Sequence, residues 1–406
     1  MSRRRSPHPQ PTVPPLWIGV AISFYAFIAI GIAEAGLGVL LPSILATYDL
    51  TPATVTLLFV SQISGYILAA LTSSLVSSRL GLGRMLLLAA GLLTGALITY
   101  ALSPTWGLMV AAGSLLGLGI GLIDAGINTA MVQDDRSAHL IGVLHGFYGV
   151  GALSGPAIAT TLLAVGMSWR QVYGVLAGIV SLLVVAVLAA LLYRYPSLTK
   201  SASTSETPAW GNLKRSLRMP VVLLSGGLLL VYVGIEASMG NWAYTVQVMA
   251  RSTPALVAGY SISAYWLGLT VGRFMLGYFL RSLGAVRTIT LACLLLLLGL
   301  GAWWQLPDQW ISLPLIGFAL APIFPAIMWL MPKRLPEALV PGAVSFATSM
   351  ASVGAALIPS GVGWLANEAG LEVIPVAMVP LAIALVGLHL WLVRCAGRAI
   401  ALRTGL

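Results

Sequence analysis

Apolar stretches of about 20 residues recur along the whole chain, and few charges interrupt them. Segments of that kind leave few options. In hydrocarbon every backbone N–H and C=O must find its partner inside the protein, which only helices and closed barrels achieve. Barrel strands need about ten residues of alternating character, and these runs are too long and too uniformly apolar for that. Twelve helical spans can be drawn, at 16–46, 54–77, 84–102, 105–131, 140–165, 171–193, 219–246, 255–280, 287–305, 311–331, 341–365 and 373–395. A large soluble protein with many buried helices is the competing reading. Only 8% of the residues are charged, far below the ~25% of soluble domains, so too little is left to face water. The fold class expected is an all-α polytopic membrane protein.

The net charge of +10 raises the question of nucleic acid, but its distribution answers otherwise. Arg3, Arg4, Arg5, Arg79, Arg84, Arg136, Arg194, Lys200, Lys214, Arg215, Arg218, Arg281, Arg287, Lys333, Arg334, Arg394, Arg398 and Arg403 all fall on one side of the spans. Only Arg170 and Arg251 fall on the other, while Arg273 lies within a span. Such a bias places both termini in the cytoplasm of a plasma or bacterial inner membrane. Residues 1–15 read as a disordered, Pro-rich tail, with no signal-peptide cleavage pattern after them. Residues 194–218, rich in Ser, Thr and charge, read as a cytoplasmic linker with a short amphipathic helix near 210–218. The linker separates a six-helix bundle at 16–193 from a second at 219–395, with a cytoplasmic tail at 396–406.

The two halves repeat one another. A shift of 203 residues lays Gly65 on Gly268, Gly81 on Gly284 and Arg84 on Arg287. The same shift lays Gly151 and Pro156 on Gly354 and Pro359. A single glycine match is cheap in a chain with 44 glycines, but a shared register is not. Pro156 and Pro359 each remove one helical hydrogen bond, and they are candidate hinge or gate positions.

Against this apolar background the acids stand out. Glu34 in the first span and Glu236 in the seventh lie 202 positions apart, in the related settings IGIAEAGLG and YVGIEASMG. A carboxyl inside hydrocarbon is costly and marks a working site, and protonation relieves most of its cost. Asp124 lies in the fourth span with Asn128 one turn on, sharing its helix face. These three acids are the candidate proton-coupling residues. Candidate solute contacts are Gln62, Asn128, Phe147, Tyr148, Asn241, Trp242, Tyr265, Trp266 and Trp329, a mixture of aromatic faces and amides. Such a mixture suits a solute with an apolar face and several hydroxyls, or a flat cation. Arg79, Arg84, Arg281 and Arg273 are candidate gate residues near the basic side. Trp17, Trp106, Trp169, Trp303, Trp304 and Trp310 sit near span ends, where tryptophans anchor in the headgroup region.

There is no phosphate-binding GxxxxGK[ST] loop, no paired-histidine metal motif, and no loop long enough for a soluble catalytic domain. The two cysteines suggest neither a disulfide framework nor a metal site. No enzyme, metal or organic cofactor is expected. The energy source would be a transmembrane proton gradient. The partners would be a small solute, protons and lipid, with no nucleic acid and a monomeric protein.

The two six-span halves and the loop after span two resemble the major facilitator superfamily, whose signature there is G-x-L-x-D-R-x-G. Ser74 to Gly81 match it at Arg79 and Gly81, with serines in place of the first glycine and the acid. The second copy, Gly277 to Gly284, keeps both glycines but has Arg281 and Ser282 where the acid and arginine stand. The acid in span one, Asp124 in span four and the pattern at 234–242 are similar to the fucose permease-like sugar–proton symporters. Gly151, Gly155 and Pro156 also resemble part of the fifth-helix motif of antiporters. The resemblance implies two pseudo-symmetric bundles that expose a central site alternately to each side. It implies proton-coupled transport of a small polar organic solute such as a sugar. A proton-linked exporter of drugs or metabolites stays open, as does a ligand-binding membrane sensor.

Overall fold

The structure is a computed structural model, and it describes residues 16–133, 140–193, 195, 214–306 and 310–404. Arg136, Lys200 and most of the 194–213 segment lie outside them, and so do residues 1–15. Of the short helix expected near 210–218, a helical turn at 214–216 falls among the described residues.

Among the described residues, twelve helices are long and apolar enough to cross a membrane. They are span 1 (Trp17–Tyr48), span 2 (Pro52–Leu80), span 3 (Leu82–Leu102), span 4 (Trp106–Met131), span 5 (Gly142–Ala164) and span 6 (Trp169–Leu192). Then follow span 7 (Pro220–Ala250), span 8 (Ala255–Ser282), span 9 (Ala285–Gln305), span 10 (Ser312–Arg334), span 11 (Glu337–Ala369) and span 12 (Val373–Ala396). Each lies within a few residues of its expected position. Local chemistry sets several of the ends. Thr51 caps span 2 by accepting from the Thr54 N–H at 3.2 Å, with Pro52 in the first turn, where its missing N–H costs nothing. Ser168 and Gln171 form a capping box at the start of span 6.

Four spans depart from unbroken α-helix, span 11 only by the 3-10 turn Glu337–Leu339 that opens it. Span 1 lapses at Gly36, two residues after Glu34, although Gly36 keeps helical torsions (φ −64°, ψ −27°). Span 10 lapses at Ala321–Pro322, where the proline has no N–H to give. Span 7 runs on to Ala250 because its last five residues take the wider π turn.

Spans 1–6 pack as one bundle, chiefly through 2 on 4, 1 on 5, and 3 on 4 and 6. Spans 7–12 pack as a second through 7 on 11, 8 on 10, and 7 and 9 on 12. The bundles meet through 5 on 8, 2 on 11 and 1 on 7. The duplication read from the sequence reappears as matched contacts. Gly65 faces the Ser114 carbonyl as Gly268 faces that of Pro314, and Gly117 faces the Gln62 carbonyl as Gly317 faces that of Tyr265. In lipid, where apolar burial does not drive association, such small-residue contacts let helix backbones close up. Gly81 and Gly284, which end spans 2 and 8, share φ +77° with ψ 160° and 153°, a region open to glycine alone.

The two arginines on the sparsely charged side also form a matched pair. Arg170 donates to the Ser103 carbonyl at 2.9 Å and to Tyr48 Oη at 3.3 Å, tying the ends of spans 1, 3 and 6. Arg251 donates to the Trp303 carbonyl at 2.8 Å and to Glu372 at 3.1 Å, tying the ends of spans 7, 9 and 12. These clasps correct part of the anchor assignment. Trp169 and Trp303 are buried, each lying against the arginine of its clasp, and Trp169 Nε1 donates to Thr47 Oγ1 at 2.8 Å. Trp106 is largely buried as well, beside Tyr48. Trp17, Trp304 and Trp310 are exposed, as interfacial anchors should be.

Candidate functional site

The three membrane acids converge between the bundles, and each accepts a hydrogen bond from a tyrosine. Tyr148 Oη of span 5 donates to Glu34 Oε2 at 3.0 Å. Tyr66 Oη of span 2 donates to Asp124 Oδ2 at 2.7 Å, while Asn128 Nδ2 donates to Asp124 Oδ1 at 2.8 Å. Tyr232 Oη donates to Glu236 Oε2 from one turn earlier on span 7. The carboxyls are within electrostatic reach of one another, since Glu34 senses Glu236, Asp124 and Arg273. Glu34 is exposed, with Tyr148 bonded to it and Asp124, Glu236 and Arg273 near enough to act on it, so it stands beside an open space among these groups rather than in a sealed core.

The sequence suggests a place nearer a gate for Arg273. The structure instead sets its Nη2 3.4 Å from Glu236 Oε1, with both side chains mostly buried. A buried guanidinium needs a counter-ion more than it needs the membrane edge, and Glu236 supplies one. The same guanidinium lies 5.6 Å from the centre of the Tyr148 ring. The chain of contacts Glu34–Tyr148–Arg273–Glu236–Tyr232 therefore crosses from the first bundle to the second. His145, one turn before Gly149 on span 5, is exposed and stands edge-on to Phe27.

The other expected solute contacts divide. Trp266 is buried beside Tyr148, ring centres 6.4 Å apart, and its indole N–H has no hydrogen-bond partner among the described residues. Tyr265 is buried and donates to the Glu236 backbone carbonyl at 3.2 Å. Phe147 stacks on Phe24 of span 1 at 4.5 Å. Gln62 Nε2 donates to Tyr100 Oη at 3.2 Å, so its amide joins spans 2 and 3. Two tryptophans sit away from the acids. Trp242 is fully buried, its Nε1 donates to the Pro359 carbonyl at 3.0 Å, and its ring stands edge-on to Phe59 of the other bundle. Trp329 is exposed beneath Lys333, one turn from the end of span 10, because that helix face turns outward there. Asn241 follows Gly240 at the contact between spans 7 and 1.

Of the expected gate residues, Arg79, Arg84 and Arg281 are exposed at the ends of spans 2, 3 and 8, and Arg281 Nε donates to the Gly277 carbonyl at 3.1 Å. Pro156 and Pro359 are buried inside helices that continue through them. Two members of the site escape a reading of the sequence. Tyr232 has a local signal, standing four residues before Glu236, but Tyr66 has none, because Asp124 is 58 positions away.

The family model described as Major Facilitator Superfamily matches residues 20–359. The chain belongs to the major facilitator superfamily. It is thus a multi-pass protein of the plasma or inner membrane, a carrier rather than an enzyme, performing secondary active transport of a small solute. It is 26% identical over 401 residues to Bypass of stop codon protein 6 of Saccharomyces cerevisiae, covering 90% of this chain and 80% of that one. It is 24% identical over 383 residues to the Glucose/mannose transporter GlcP of Bacillus subtilis, covering 91% and 94%. Among solved structures it superposes on the nucleoside transporter NupG with a TM-score of 0.74 at 14% identity, over 93% of this chain and 98% of that one. A variant of the E. coli fucose:proton symporter FucP gives a TM-score of 0.61 at 17% identity, over 92% and 98%. Both structural likenesses speak to the fold, which is that of this superfamily carrier.

Proposed function

We propose that this superfamily member couples inward proton flow to uptake of a small, uncharged polar solute, a sugar or related polyol. The observation that carries the reading is Glu34, exposed beside Asp124, Glu236 and Arg273 and hydrogen-bonded to Tyr148. A carboxyl in that setting can exchange a proton with the space beside it, and losing its charge lowers the cost of closing the site off from water between its two open states. Asp124, held by Tyr66 and Asn128, is the second proton carrier in this scheme. Glu236 balances Arg273 and orients it.

Charge argues against an anionic solute, because with all groups ionised Glu34, Asp124 and Glu236 against Arg273 leave the site with an excess of two negative charges. Protonation of Glu34 and Asp124 in this scheme removes the attraction for a cation. Trp266, Tyr148 and Tyr265 supply aromatic faces, and the unpartnered Trp266 N–H is a donor for a solute hydroxyl. The glucose/mannose transporter among the relatives favours a sugar. Carrying one proton through 100 mV yields about 2.3 kcal/mol, enough for a concentration ratio of roughly fifty.

The test is uptake into proteoliposomes under an imposed pH gradient, with a panel of hexoses, pentoses, polyols, sugar phosphates and cationic drugs. The parent should concentrate a neutral sugar or polyol. Glu34→Gln should abolish gradient-driven accumulation while sparing solute counterflow. Outward, drug-dependent pumping would establish the exporter instead, and full pH dependence in Glu34→Gln would remove the coupling role.

A further inference from the structure

Several glycines meet the opposite bundle, and among the described residues Gly38 and Gly363 are the two that meet its backbone, whereas the nearest neighbours of Gly146, Gly149 and Gly259 there are side chains. Gly38 of span 1 faces the Gly240 carbonyl of span 7, across the boundary between bundles, with Asn241 Cα 3.5 Å from where its Cβ would lie. Gly363 of span 11 faces span 2 across the same boundary. A Cβ there would lie 2.6 Å from Thr56 Cγ2 and 2.9 Å from the Pro52 carbonyl, as well as 2.7 Å from Trp242 Cζ2. Both contacts sit toward the ends of the spans remote from the two termini, where Phe59 and Trp242 also meet edge-on. At that level Thr161 Oγ1 and Tyr260 Oη form a 2.9 Å hydrogen bond between spans 5 and 8. The bundles are therefore shut on this face by backbone against backbone, with Trp242 held as a plug by the Pro359 carbonyl.

We propose that Gly38 and Gly363 are the gate residues of this face, and that the missing side chain at each is what lets the carrier close there. Alternating access requires the bundles to part on this face in the opposite state. A methyl group at either position then collides in one state and meets open space in the other. A group that penalises one of two states shifts their populations by its differential free energy. Gly65 and Gly268 are as crowded, but by Ser114 and Pro314 of their own bundles, so the crowding there accompanies both states. The assignment needs neither a proton nor a particular solute.

The experiment uses the full chain in lipid nanodiscs, with spin labels at Ala46→Cys and Glu368→Cys, both exposed near this face and on opposite bundles. Cys395→Ser removes the accessible native thiol, and Cys293 stays in its buried place. Electron–electron distance distributions report the ratio of closed to open populations. Gly38→Ala and Gly363→Ala should each lower that ratio by about tenfold or more. Gly91→Ala, with open space around it, should leave the ratio unchanged. Gly65→Ala should lower thermal stability without moving it. A ratio within about twofold of the parent in folded Gly38→Ala and Gly363→Ala overturns the proposal. Failure of both variants to fold overturns it as well, because a clash confined to one state leaves the other available. If only one folds, its ratio decides.

Discussion

Replacing Arg273 by Gln tests the electrostatics of the site most directly. Arg273 Nη2 and Glu236 Oε1 are 3.4 Å apart, with side chains 17% and 13% accessible. At an effective dielectric constant of 20, unit charges at that separation attract by about 5 kcal/mol. Desolvation of both ions offsets much of this, so the pair itself contributes little net stability. Removing one partner is different, because the other is left buried and uncompensated, which costs about 3–5 kcal/mol. The contact is single-ended and longer than an ideal charge-assisted bond, so the lower end, about 3 kcal/mol, is the expected loss for Arg273→Gln. Glu236→Gln should cost a comparable amount, since it strands the guanidinium. The double variant removes both charges and should recover at least half of the summed loss. Reversible unfolding in mixed micelles, read as a double-mutant cycle, measures this. Additive losses in the double variant, with no coupling energy, would refute the argument that these groups neutralise each other.

The remaining predictions concern the frame and the aromatic contacts. Gly81→Ala and Gly284→Ala should each cost about 1–3 kcal/mol, and by similar amounts, because both positions hold the same glycine-only torsions; thermal unfolding of the single variants checks this. Arg251→Ala should cost about 1–2 kcal/mol, of which only the part owed to half-exposed Glu372, under about 1 kcal/mol, should fade with salt, because the Trp303 carbonyl and ring are also its partners. Arg170→Ala should cost about 1–2 kcal/mol at any salt, since its partners are a carbonyl, a hydroxyl and aromatic rings. Trp242→Phe should lower stability by about 1 kcal/mol through loss of the indole's bond to the Pro359 carbonyl, without changing which solutes compete for uptake.

The frame was legible in the sequence because its causes are local. Runs of apolar residues specify spans one at a time, and Gly81 and Gly284 announce a copied turn through identity and register alone. The acids were legible for a related reason, since a carboxyl among valines and leucines has no cheap structural excuse. Partners were not legible. Tyr66 belongs to Asp124, and Arg273 to Glu236, by contacts that only helix packing creates. Trp242 shows the opposite failure. Its proximity in sequence to Glu236 and Asn241 suggested a solute contact, but the helix turns it toward Pro359 and Phe59 instead. Trp169 and Trp303 failed likewise, because a span end can be capped by an arginine clasp as readily as by headgroups.

The duplicated scaffold carries unequal cargo. In the register of the Gly117 and Gly317 contacts the position matching Asp124 in the second copy is Phe324, and in the register of Gly65 and Gly268 the position matching Arg273 in the first is Ala70. Glu236 and Arg273 cancel within their own half, whereas among the described residues no basic side chain of the first half is paired with Glu34 or Asp124. On the proton-coupled reading proposed above, the membrane voltage would tug on one lobe and largely ignore the other, so an electrical signature of the cycle would belong to spans 1–6 and vanish with both of their acids protonated.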